Sequence, residues 1–197
     1  MGFERRALIE RETKETKIKL SLEIESNIPG FTGSSGIGFF DHMLNTFAVH
    51  GGFAINLEMT GDLHVDCHHS VEDTGIVLGT AFRKIIDSNK NITRFASEYI
   101  PMDESLALCA VDIGGRAYLV FNAEFKPGVI GEYDTQMTKE FFYALSHNMP
   151  AAIHINLLYG ENDHHKTEAI FKSAAKSIKN ALVLNPENKI ASAKGGI

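Results

Sequence analysis

His68-His69-Ser70-Val71-Glu72 and His164-His165-Lys166-Thr167-Glu168 are two copies of one pentad, His-His-x-x-Glu, set 96 residues apart in a chain of 197. Each copy opens a stretch with helical periodicity. Behind the first, Val71, Leu78, Ala81, Phe82 and Ile85 form an apolar stripe; behind the second, Ile170, Phe171, Ala174, Ile178 and Leu182 do so. A short alternating strand precedes each pentad, with Ile55, Leu57 and Met59 on one face of 54–60 and Ile153, Ile155 and Leu157 on one face of 151–159. Ahead of each strand lies a further helix. Met43, Leu44 and Phe47 mark the first, which Gly51-Gly52 stops; Met137, Phe141, Ala144 and Leu145 mark the second, which Pro150 closes.

The halves begin on strands. Over 16–25, Ile18, Leu20, Leu22 and Ile24 face one way and Lys17, Lys19, Ser21 and Glu23 the other, a half-buried strand whose hairpin partner lies around 5–12. In the second half, 105–113 and 116–125 are β-prone runs joined by Gly114-Gly115, a hairpin signal. Residues 29–38 hold four glycines and two serines and read as a mobile loop. The unit is ββαβα, used twice. It predicts an α+β fold of two sheets, each covered on one face, with four helices between them. The divisions expected are 1–92, 93–184 and a tail over 185–197 that orders only when something binds it.

Composition narrows the partners. A formal charge of -6 without a basic stripe argues against nucleic acid. No apolar run approaches the ~18 residues a membrane helix needs, and the first residues lack the apolar core of a secretion signal. Cys67 and Cys109 are too few for a disulfide framework. A cytoplasmic protein is the expectation, and its nine histidines are the anomaly.

Imidazole and carboxylate are metal ligands. Adjacent residues at a helix start point about 100° apart, so His68 and His69 suit two ions better than one. Glu72 stays on the same general face. His164, His165 and Glu168 repeat the arrangement. His42 and His147, one on the earlier helix of each half, bring the set to six histidines and two glutamates. Three imidazoles and one carboxylate per ion leave open positions on a six-coordinate metal, and the mixture suits Mn, Fe, Ni or Zn. The spacing is not that of zinc peptidases. Gly75 and Gly79 read as a site of close helix packing, Cys67 as a small buried residue, and His154 as surface.

Longer motifs carry a resemblance. Arg11-Glu12-Thr13-Lys14-Glu15-Thr16, Gly38-Phe39-Phe40-Asp41-His42-Met43-Leu44, His50-Gly51, Gly61-Asp62-Leu63-His64, the first pentad with Asp73, Asp112-Ile113-Gly114-Gly115-Arg116, the second pentad and Ser192-Ala193-Lys194-Gly195 resemble the imidazoleglycerol-phosphate dehydratase family, nearly end to end and in order. The resemblance implies a lyase of histidine biosynthesis. Such an enzyme converts imidazole glycerol phosphate to imidazole acetol phosphate and water through a dimanganese-bound imidazolate. It implies two Mn2+ per active site on His42, His68, His69, Glu72, His147, His164, His165 and Glu168. It implies Glu15 as proton shuttle and substrate contact, with Arg94, Arg116, Ser192 and Lys194 on the phosphate. It implies the ribosomal protein S5 domain 2-like arrangement, two mixed four-stranded sheets flanking the helices, and a homo-oligomer of 24 subunits built from trimers. The chain departs from the family at Thr46, where a substrate-contacting Gln is common, and at Ala193, where Thr is usual. Two other chemistries use the same clusters: a dinuclear metallohydrolase, and a non-catalytic metal-binding protein that would not need the arginines.

Overall fold

The computed structural model describes residues 5–88 and 91–185. The first half runs β1 (Arg6–Glu12), β2 (Thr16–Glu23), β3 (Gly30–Ser34), α1 (Gly38–Gly51), β4 (Ala54–Gly61) and α2 (His68–Ser88). The second runs β5 (Phe95–Met102), β6 (Ser105–Asp112), β7 (Tyr118–Asn122), the short β8 (Val129–Ile130) and β9 (Tyr133–Asp134), α3 (Met137–Asn148), β10 (Ala152–Tyr159) and α4 (Asp163–Leu182).

Alternation in the sequence becomes two mixed four-stranded sheets, ordered β1-β2-β4-β3 and β5-β6-β10-β7. In each, the last-named strand pairs parallel with its neighbour and the others pair antiparallel. Ile18, Leu20 and Leu22 of β2 and Ile55 and Leu57 of β4 bury one face of the first sheet, and Ala107, Cys109, Val111, Ile153 and Ile155 do so in the second. A strand with period-two hydrophobicity can bury only one face, so each sheet needs a cover. The four helices supply it, as expected. Helices α1 and α2 lie on the first sheet and α3 and α4 on the second, while α2 packs against α3 and α1 against α4. Both cysteines are buried and free, and burial pushes the Cys109 thiol up to about 12. No helix among the described residues is long and apolar enough to cross a membrane.

Two local readings change. Each half carries a further sheet strand between its second strand and its first helix, β3 in the first and β7 in the second, where the small β8–β9 pair follows. In the first half this is β3, within the segment read as a loop. It is nearly devoid of apolar side chains, and tertiary contacts hold it instead. Its backbone pairs with β4, and Asp41 of α1 accepts hydrogen bonds from Ser34 Oγ at 2.7 Å, Ser35 N at 2.7 Å and Ser35 Oγ at 2.6 Å. Gly33 sits at φ +99 against the Leu57 carbonyl, where a Cβ would collide. In the second half, Gly114-Gly115 does not close a hairpin. The hairpin partner of β6 is β5, reached through a turn at Asp103 and Glu104, and β7 crosses to pair parallel with β10. Strand β5 escaped notice because none of its residues is fully buried.

Helices α2 and α3 approach closely where glycine allows it. A Cβ on Gly75 would lie 2.7 Å from the Phe141 carbonyl oxygen, and one on Gly79 would lie 2.6 Å from that of Leu145. The obstacle is backbone, which cannot rotate aside. Gly79→Ala is therefore expected to destabilise by about 1–3 kcal/mol, outweighing alanine's helix advantage of about 1 kcal/mol. Gly38→Ala, with nothing within 4 Å of the added methyl, is expected to be neutral or mildly stabilising. Denaturant unfolding of the two variants checks the contrast.

Candidate metal centre

Both pentads lie at the start of a helix, and for the same local reason. Asn162 caps α4 by accepting from the His164 backbone N–H at 2.9 Å, and Asp66 accepts from that of His68 at 2.7 Å. An Asx side chain two residues ahead satisfies a donor that the helix leaves unpaired. Helical spacing then brings the first histidine and the glutamate together. His68 Nε2 is 3.3 Å from Glu72 Oε2, and His164 Nε2 is 3.4 Å from Glu168 Oε2.

The second pentad gains a third donor from the other half. Packing of α1 on α4 sets His42 Nε2 3.8 Å from Glu168 Oε2, with its ring 5.5 Å from that of His164. The ligand atoms of His42, His164 and Glu168 all lie within 4.8 Å of one another. Ligands about 2.0–2.2 Å from one ion sit at most about 4.4 Å apart, so the set fits a metal after an inward shift of a few tenths of an ångström. Phe39 walls the group, its ring 4.9 Å from that of His164. Burial alone would raise the Glu168 carboxyl. The Lys172 ammonium, 2.8 Å from Oε1, and the nearby His42 and His164 outweigh it and hold Glu168 below the usual range. Glu168 thus stays anionic with Oε2 turned to the histidines.

The second histidine of each pentad turns away from the first, with ring planes 67° apart for His68 and His69 and 81° apart for His164 and His165. Each engages a carboxylate through Nδ1, His69 with Asp62 at 2.9 Å and His165 with Glu104 at 2.6 Å. These hydrogen bonds raise both histidines above the ordinary imidazole value, with Glu15 adding to the effect at His69. Glu104 itself is held far below the carboxylate range, first by the Asn162 backbone N–H and then by His165.

His147 departs from expectation: the structure does not bring it to the first pentad. Helices α2 and α3 run side by side in the same direction, with Gly75 beside Phe141 and Ala144, Gly79 beside Leu145 and Asn148, and Arg83 bonded to the Asn148 and His147 carbonyls. Arg83 lies three turns beyond Glu72, roughly 16 Å along the axis at 1.5 Å per residue. The buried positions give the true register of the repeat. Phe40, Met43, Leu44, Thr46, Phe47 and Ala48 of α1 match Thr138, Phe141, Phe142, Ala144, Leu145 and Ser146 of α3. On that register Val49 corresponds to His147, and His42 corresponds to Glu140. The Phe-Phe pairs, Phe39-Phe40 and Phe141-Phe142, are out of step on this register. Sequence reasoning did not single out Glu140, and burial periodicity was the signal that could have matched it to His42. Lys172 was also missed.

Glu15 sits in the exposed β1–β2 turn, its backbone N–H held by Thr13 Oγ1 at 3.1 Å, on the side of the first pentad. Arg94 is clamped by Asp112 through Nε at 2.7 Å and Nη2 at 3.2 Å and lies over the Phe95 ring. Gly114 lies against this clamp, and Arg116, two residues on, is exposed. Thr46 is buried on α1. His50, lowered chiefly by burial and then by Lys172 and Lys176, borders the same helix pair, whereas His154 is exposed on β10. Ser192 and Lys194 lie outside the described residues.

A family model described as imidazoleglycerol-phosphate dehydratase matches residues 35–178. The imidazoleglycerol-phosphate dehydratase of Streptococcus mutans is 46% identical over 192 residues, covering 97% of this chain and 98% of the relative. That of Lacticaseibacillus casei is 48% identical over 194 residues, covering 98% and 100%. Among solved structures, the Staphylococcus aureus enzyme superposes with a TM-score of 0.83 at 37% identity, covering 91% of this chain and 99% of the other. The Pyrococcus furiosus enzyme, in complex with (S)-C348, does so with a TM-score of 0.82 at 34% identity, covering 96% and 100%.

Protonated imidazole cannot ligate. Because His69 and His165 are raised, protons compete for them at higher pH than for an unpaired histidine. Divalent-metal loading is expected to fall as pH is lowered, beginning at a higher pH than the ordinary imidazole value of about 6.5 would give. Equilibrium dialysis across pH checks this.

Proposed function

The chain belongs to the imidazoleglycerol-phosphate dehydratase family, and on that premise we propose that it dehydrates imidazole glycerol phosphate to imidazole acetol phosphate, a step of histidine biosynthesis. The carrying observation is the convergence of His42, His164 and Glu168 from both halves of the chain. The proposed ligands to two Mn2+ per active site are His42, His68, His69, Glu72, His164, His165 and Glu168, with Glu140 in the position first assigned to His147. Bound metal supplies Lewis acidity that favours the deprotonated form of the substrate imidazole.

The chain's own residues do the rest. The substrate carbon that loses a proton is not acidic, so a positioned base is required. Glu15 takes that role: it projects from a tight turn, is exposed to incoming substrate, and lies within electrostatic reach of His69. Arg116, with Arg94 braced beside it by Asp112, receives the phosphate, since a guanidinium can clamp phosphate oxygens with two donors. Ser192 and Lys194 add contacts from the tail. His69 and His165 turn away from their own pentads, and this supports sites completed between subunits of a 24-subunit particle built from trimers.

Formation of imidazole acetol phosphate by metal-free protein, with and without added Mn2+, tests the reading; activity without metal would sink it. His164→Ala or Glu168→Ala is expected to cost more than about 100-fold in rate, because even indirect partners of metal ligands cost 10- to 100-fold. Arg116→Ala is expected to cost roughly 10- to 100-fold in kcat/KM, as befits a lost charge-assisted hydrogen bond. Glu140→Ala should lower Mn2+ stoichiometry and His147→Ala should not; the reverse result would restore His147 to the ligand set.

A further inference from the structure

We propose that Asp62 and Glu104 are positioning residues that fix the tautomer and direction of His69 and His165, so that each presents Nε2 as its ligating nitrogen. The inference rests on the proposed ligand set. A carboxylate accepting from Nδ1–H leaves the lone pair on Nε2 and holds the ring plane. Both pentads show this contact, at 2.9 Å and 2.6 Å.

The two carboxylates come from different places in the fold, which argues that the contact matters rather than the position. In the first half, residues 62–67 connect β4 to α2, and Asp62 heads that connection. Gly61 lets it close: a Cβ there would strike Ser70 Oγ in the first turn of α2. In the second half only residues 160–162 connect β10 to α4. No acid of this shorter link bonds His165. The β5–β6 turn supplies Glu104 instead, and the link fastens to it through the backbone N–H groups of Glu161 at 3.1 Å and Asn162 at 2.9 Å. The corresponding turn of the first half carries Glu15. With Asp62 holding His69, Glu15 is left for proton transfer.

Fold stability does not account for these pairs. Their side chains are 37% and 15% exposed in one case and 26% and 37% in the other, and ion pairs this exposed contribute little to stability. Each does, however, commit Nδ1 of the imidazole to one partner.

The two tethers differ in a testable way. Glu104 Oε1 accepts the two backbone N–H groups while Oε2 faces His165. In Glu104→Gln the backbone donors keep the amide oxygen, so the NH2 faces Nδ1 and forces the proton onto Nε2, the wrong tautomer. Asp62 Oδ1 is buried without a partner among the described residues. In Asp62→Asn the amide is therefore free to flip and still offer its oxygen to His69.

The experiment is titration of full-length metal-free protein with Mn2+, read by electron paramagnetic resonance of free and bound ion, with spin-echo modulation to report coordinated nitrogen. Glu104→Gln and Asp62→Ala are expected to bind about 10- to 100-fold more weakly with reduced nitrogen modulation, and Asp62→Asn close to wild type. Unfolding midpoints of the metal-free variants should match wild type. Wild-type affinity and modulation in both Glu104→Gln and Asp62→Ala, with loss in His69→Ala, would overturn the inference while leaving the ligand set standing. Wild-type binding in His69→Ala as well would overturn both.

Discussion

Side-by-side packing of helices from opposite halves is the constraint on which the rest depends. Helix α1 lies along α4 and α2 along α3, and in each pair the helices run the same way, so that their first turns come together. A donor from one half thereby reaches a pentad of the other, as His42 reaches His164 and Glu168. Neither half can assemble such a cluster alone. The glycines of α2 show how tightly the register is held, since one added methyl at Gly75 or Gly79 would meet backbone.

Converging helix starts also set an electrostatic problem. Each N-terminus carries roughly half a positive charge, which opposes a cation. A carboxylate one turn into the helix offsets that balance. Glu168 is kept ionised by Lys172 despite its burial, and Glu72 has the same place in its helix. Further carboxylates act one step away: Asp62 and Glu104 hold histidines, and Asp112 holds Arg94.

Much of this was legible in advance because it is periodic or local. Strands β2, β4, β6 and β10 announce themselves by alternation, and all four helices by their stripes. Helix starts at the pentads follow from the Asx cap and the apolar run behind it. What escaped lacked such a signature. Strand β3 has a single apolar side chain, Phe31, among small and polar residues, and is held by a neighbouring strand and by Asp41. Strand β5 alternates between exposed and half-buried residues with none fully buried, so its apolar pattern is faint. Glycines at 114 and 115 looked like a hairpin because local turn chemistry cannot reveal that β7 pairs with β10. His147 looked like a partner of His42 because each lies on the earlier helix of its half, whereas burial puts Glu140 in the matching place.

The sequence by itself determined the duplication, the helix starts and the residue types able to bind metal, since each depends on neighbours within a turn or two. Tertiary structure alone decided which of those residues meet. His42 joins His164 and Glu168 because helix packing sets their register. Glu104 reaches His165 because the β10–α4 connection is short and the β5–β6 turn lies beside it. Contacts between residues dozens of positions apart depend on how apolar faces stack, and no local spacing encodes that.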